Sequence, residues 1–71
     1  MLHRKYDLYT DEQLAALQTK VGDILDLVVP TSRLGEIVRG RHKVLALKKR
    51  DIGEFEGKHY TQIELQLEGP L

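Results

Sequence analysis

Residues 10–30 read TDEQLAALQTKVGDILDLVVP, and the reading of this stretch decides the fold. It opens on Thr10-Asp11-Glu12-Gln13, the pattern of a capping box. The Thr10 hydroxyl is placed to accept from the backbone N–H three residues on, and the Gln13 side chain to reach back. Tyr9 and Leu14 stand at the staple positions on either side, and Asp11 and Glu12 lie in the first turn, where the positive end of the helix dipole favours acids. Behind the cap, Leu14, Leu17, Val21, Ile24, Leu25 and Val28 recur at helical spacing within an arc of roughly 100°. The pattern predicts one amphipathic helix over about residues 10–28. Gly22 interrupts it at a cost of about 1 kcal/mol relative to Ala, and Pro30 ends it, because the residue before a proline is pushed out of the helical region.

Beyond Pro30, Thr31 or Ser32 can cap a short second helix over about 32–39. Leu34, Ile37 and Val38 then form its apolar stripe and Gly40 its left-handed stop. The alternative is a strand over 36–39 that turns at Gly40-Arg41 into the next strand; the presence of both a cap and a stop favours the helix. Val44-Leu45-Ala46-Leu47 reads as a strand with basic ends, and Gly53 and Gly57 bracket an acidic loop. Near the C-terminus, Thr61, Ile63, Leu65 and Leu67 alternate with Gln62, Glu64, Gln66 and Glu68, a period of two that buries one face and wets the other. The expected fold class is therefore α+β. A capped N-terminal helix (about 10–28), a short second helix (about 32–39) and an antiparallel hairpin (about 43–50 and 59–68) make one domain over 1–71, with 1–8 as a flexible tail. Two strands alone are marginal and expose an edge, so a homodimer is expected.

The chain has 71 residues, 41% of them hydrophobic and 31% charged, which is a globular rather than a disordered composition. A domain this short buries only about 60% of its unfolded surface, so its stability margin is thin. With no cysteine there is no disulfide, thiolate zinc site, iron–sulfur cluster or cysteine nucleophile. The apolar runs fall far short of the roughly 20 residues that cross a bilayer as a helix. The N-terminal Met1-Leu2-His3-Arg4-Lys5 lacks the apolar core of a secretory signal. These features point to a cytoplasmic protein with no membrane partner.

Catalysis finds little support. The hydroxyls of Thr10, Thr19, Thr31, Ser32 and Thr61 carry no nucleophile motif, and the carboxylate pairs Asp23/Asp26 and Glu54/Glu56 read as solvated charge. Gly35, Gly40 and Gly53 are too far apart for a phosphate loop. A metal would have to use His3, His42 and His59, none at the spacing that puts two ligands on one helical face, although His59 can meet His42 across the hairpin if the strands register. No enzyme activity, metal or cofactor is expected.

The net charge is zero but unevenly spread. Residues 33–50 hold Arg33, Arg39, Arg41, Lys43, Lys48, Lys49 and Arg50 against the single acid Glu36, while residues 1–32 and 51–71 are both net acidic. Clustered cations release counterions from a nucleic-acid backbone, so this segment is the candidate binding site for nucleic acid or an acidic protein surface. It contains no aromatic residue for stacking bases, which argues against a single-strand platform. The expected function is a non-enzymatic binding module, a small regulator contacting nucleic acid through 33–50. The alternative is a protein-binding inhibitor, adaptor or assembly factor that uses a charged surface or an exposed strand edge.

Val28-Val29-Pro30, the basic Arg33, a short apolar helix and a following Val- and Leu-rich strand together resemble the swapped-hairpin DNA-binding domains of transition-state regulators and antitoxins. The likeness covers about twenty residues. A capped helix stands where that family has a preceding strand, and the spacing from Pro30 to the arginine differs. No site residue carries over from it.

Overall fold

Gly22 divides the 10–30 stretch between two kinds of structure. A computed structural model, which describes residues 1–30 and 34–71, shows strand β1 (Leu2–Thr10), helix α1 (Asp11–Ala16), strand β2 (Ile24–Pro30), strand β3 (Ile37–Phe55) and strand β4 (Lys58–Glu68). The strands form one antiparallel sheet in the order β1-β4-β3-β2. The expected α+β fold with two helices thus gives way to a four-stranded sheet with one short helix.

The capping box forms as its residues dictate: Gln13 N–H donates to Thr10 Oγ1 at 3.3 Å, and Thr10 N–H donates to Gln13 Oε1 at 3.0 Å. The helix then stops at Ala16, because Leu17 is already extended at φ −69°, ψ 124°. Asp23 builds the next turn, its Oδ2 accepting from Lys20 N–H at 3.0 Å and its own N–H donating to Lys20 O at 3.1 Å. Gly22 sits in this turn at φ +95°, a conformation open to glycine at little steric cost. The turn is tied to β3 by Gly22 N–H to Val44 O and Val44 N–H to Asp23 O, both 2.8 Å. Past the turn the chain runs as a strand, in which Leu25, Leu27 and Val29 turn inward while Ile24, Asp26 and Val28 stay exposed. The apolar residues of 24–29 satisfy a period of two as well as one of 3.6, and the turn at Gly22 selects the former.

The other expectations change in the same direction. Thr31 and Ser32, the expected cap of a second helix, lie outside the described residues, and Ile37–Arg39 begin β3. Gly40 neither stops a helix nor turns a hairpin but lies within β3, where a Cβ would come 3.0 Å from that of Pro70. The segment read as a tail is β1, paired with β4 from Leu2↔Glu68 to Thr10↔Tyr60. The pair expected over 43–50 and 59–68 falls inside the longer β3–β4 hairpin.

One strand holds the sheet together. β3 pairs with β2 through Ile37–Lys43 and with β4 through Lys43–Phe55, with bulges between Val44 and Ala46 and between Asp51 and Gly53. Bulges bend a strand and increase its twist. One face of the sheet carries the core: Val29, Val44, Ile63, Leu65 and Leu67 are buried, and Tyr9, Leu14, Leu17, Leu25, Leu27 and Leu47 pack around them. The residues after β4 close one end. Gly69 N–H donates to Met1 O at 2.9 Å, and Leu71 N–H donates to Arg41 O at 2.7 Å. Gly69 passes so close to β3 that a Cβ there would lie 2.8 Å from the buried His42 ring and 2.9 Å from Arg41 O.

Candidate functional site

Opposed residues of an antiparallel pair share a face, so the register sorts the seven candidate cations directly. Arg39, Arg41, Lys43, Lys48 and Arg50 project from the face opposite the core, all exposed, along most of β3. Lys49 stands opposite Ile63 on the core face at the rim, and Arg33 lies outside the described residues. Arg4, which sequence reasoning did not single out, joins the five from across β4, where it opposes Gln66.

Acids interleave with this row. Arg41 stands opposite Asp26, Lys43 opposite Glu68 and Lys48 opposite Glu64; Arg39 faces Val28 and Arg50 faces Gln62. Opposite charges placed directly across strands stabilise the pair and cancel much of each other's field. Glu64 shows how engaged these acids are. The Tyr6 hydroxyl and the Gln66 amide, the latter at 3.2 Å, donate to its carboxylate; with smaller help from Lys48 and Arg4 they hold its pKa below the usual value against the opposing effect of desolvation. The cations visible in sequence as a block of charge are, in the sheet, half of a two-signed ladder.

The histidines also separate. His59 does not meet His42; it opposes Glu54, and its ring bridges two elements, with Nδ1 2.7 Å from Asp11 Oδ1 on α1 and Nε2 2.7 Å from Asp51 Oδ1 on β3. The hydrogen bonds to Asp11 and then Asp51 raise the His59 pKa, and the hydrogen bond from His59 is the chief cause that lowers that of Asp51. When protonated, the ring donates from both nitrogens, and this arrangement ties α1 to the sheet. His42 is fully buried, its Nδ1 2.9 Å from Gly40 O, and its ring meets His3 edge-on with centroids 5.7 Å apart. Among the described residues no three histidine or carboxylate side chains gather closely enough to hold a metal, and no helix is long and apolar enough to cross a membrane.

The remaining feature is the sheet's border. β1 and β2 each pair on one side only. Their outward-facing side chains include exposed Leu2, Tyr6 and Leu8 on β1 and Ile24 and Val28 on β2. An open cleft of about 1090 Å³ runs along β1, lined on its far side by Val28, Pro30, Val38 and Leu45. No family model, curated protein or solved structure matches this chain.

Proposed function

We propose that the chain is a non-enzymatic protein-binding module, an adaptor or assembly factor that engages its partner along an unpaired edge of the sheet. The observation that carries this reading is surface area. The molecule exposes 5402 Å², whereas a compact monomer of 8.2 kDa exposes about 4500 Å². The excess, roughly 900 Å², is surface that a flat, open sheet leaves uncovered. Exposed apolar side chains at the border supply the kind of surface such a contact needs, and free strand edges supply its backbone hydrogen bonds. The cysteine-free sequence suits a reducing compartment, and we place the protein in the cytoplasm.

Amide hydrogen exchange tests the reading: binding should protect edge N–H groups of β1 or β2 that are open in the free chain. Unprotected edges in every protein complex the chain forms would overturn it. Nucleic-acid binding is the second reading, supported by the row Arg39, Arg41, Lys43, Lys48 and Arg50, which with Arg4 outnumbers Asp26, Glu64 and Glu68 on the same face. An anisotropy titration at about 50 mM salt, where phosphate contacts are strong, decides it. Binding that falls steeply with salt and weakens in Arg39→Gln/Arg50→Gln supports that reading, and no binding removes it.

A further inference from the structure

The border strand β1 has a pattern of its own that favours one partner. Gly69 N–H donates to Met1 O one step beyond the Leu2↔Glu68 pair, which fixes the phase of the β1–β4 ladder. In an antiparallel ladder the bonded positions alternate. His3, Lys5, Asp7 and Tyr9 therefore aim their backbone groups at β4, and Leu2, Arg4, Tyr6 and Leu8 aim theirs at the free edge. Thr10 N–H is already committed to Gln13 in the helix cap, so the open stretch ends at Leu8.

The side chains on the core face of this edge are charged. Lys5 and Asp7 form an ion pair two residues apart, with side-chain exposures of 23% and 40%. Inward-pointing charges on an edge strand ordinarily repel a neighbouring strand, because an arbitrary partner leaves them unmatched. We propose that β1 pairs antiparallel with β1 of a second copy of this chain, about a twofold axis at Tyr6, giving a continuous eight-stranded sheet.

Register decides the partner. Centred on Tyr6, the two strands oppose Tyr6 to Tyr6 and Arg4 to Leu8 at the outward-aimed positions, so each of these pairs exchanges two backbone hydrogen bonds. The intervening positions oppose Lys5 to Asp7 of the partner subunit. These are non-hydrogen-bonded pairs, where Cα atoms approach to about 4.5 Å and side chains are closest. The two Lys5–Asp7 pairs then form a square in which every charge has opposite neighbours along and across the strands and its like charge on the diagonal. Centring instead on Arg4, Lys5 or Asp7 sets that charge against its own copy, and centring on Leu8 sets Lys5 opposite position 11, where Asp11 lies in α1 rather than in the strand and is bonded to His59. The Tyr6 register is thus the self-pairing that satisfies both charges, and β1 is paired only to β4, with β2 lying across an open cleft from it rather than hydrogen-bonded to it.

This inference rests on the protein-binding reading and names the partner. Sedimentation equilibrium at about 100 µM tests it. The wild type is expected at twice the mass of 8.2 kDa. Lys5→Asp, which puts four acids in the square, and Asp7→Lys, which puts four bases there, are each expected to weaken dimerisation by about tenfold or more. The exchange Lys5→Asp/Asp7→Lys restores the alternation and is expected to return the affinity to within about threefold of wild type. Tyr6→Pro removes an outward N–H without touching the β1–β4 ladder and is expected to give a folded monomer. Circular dichroism checks the fold of each variant; if Tyr6→Pro does not fold, the charge series decides alone. A monomeric wild type, a dimer indifferent to Lys5→Asp, or an exchange that fails to rescue overturns the proposal. None of these results bears on whether another protein protects the sheet edges, which is how the broader reading is judged.

Discussion

β1 and β4 lie side by side in one continuous register, yet their burial differs. β4 alternates between buried Thr61, Ile63, Leu65 and Leu67 and half-buried Gln62, Glu64 and Gln66, whereas β1 alternates between half-buried His3, Lys5 and Asp7 and exposed Arg4, Tyr6 and Leu8. Both strands turn one side toward the core. The difference is a matter of neighbours: β4 has a strand on each side and β1 has one, so a side chain on β1 is covered only in part whatever its type. Position in the sheet, more than hydrophobicity, sets how much each residue contributes.

The contrast can be broken by substitution. Leu67→Ala on β4 removes a fully buried side chain and is expected to cost about 2–5 kcal/mol by denaturant titration, whereas Leu2→Ala on β1 should stay within about 0.5 kcal/mol. Equal costs would show that the edge strand shares the core's packing. Gly69→Ala comes next, at about 1–3 kcal/mol, because its Cβ would press on the His42 ring and on the rigid Arg41 carbonyl. Thr10→Ala removes half of the capping box where β1 hands over to α1 and should cost about 1 kcal/mol.

The smallest effect concerns the bridge that fastens α1 beside β4. The folded-state pKa of His59 is raised above 6.5, so its contribution is full below about pH 6.5 and is lost as pH rises through the raised value. Asp51 is lowered from 3.8, so its contribution is full above that pH and is lost as pH falls through the lowered value. Thermal midpoints of the wild type relative to His59→Gln should therefore be highest between the two and converge on either side. Asp11 and Asp51 are well exposed and His59 is partly so, and solvent therefore keeps the difference small. A gap between the two proteins that is flat from pH 4 to 9 would show that the bridge is not what holds the helix.

What the chain reveals before folding depends on how local each feature is. The cap at Thr10 is legible because donor and acceptor lie three residues apart, and the β4 alternation because a two-sided strand buries one side cleanly. β2 is misread because Leu25 and Val28 suit a helical stripe as well as Leu25, Leu27 and Val29 suit a strand, and only the turn at Gly22 separates the two. β1 escapes notice because an edge strand can carry Lys5 and Asp7 inward and so lacks the apolar alternation that marks strands. The cations between 33 and 50 are plain in sequence, but Asp26, Glu64 and Glu68 become their neighbours only through strand register. Similarly, His59 and Asp11 lie 48 positions apart and meet only after the sheet forms.

The length of β3 has one more consequence. Because its first half carries β2 and its second half carries β4, with a bulge just beyond the junction at Val44, the sheet resembles two hairpins spliced end to end. Opening β2 would break its ladder to Ile37–Lys43 while leaving the β1–β4–β3 ladders intact, which makes the splice a seam for partial unfolding. Native-state hydrogen exchange should then show the amides of 24–30 released in an earlier, smaller opening than those of 61–67, with Val44 as the boundary between two cooperative units.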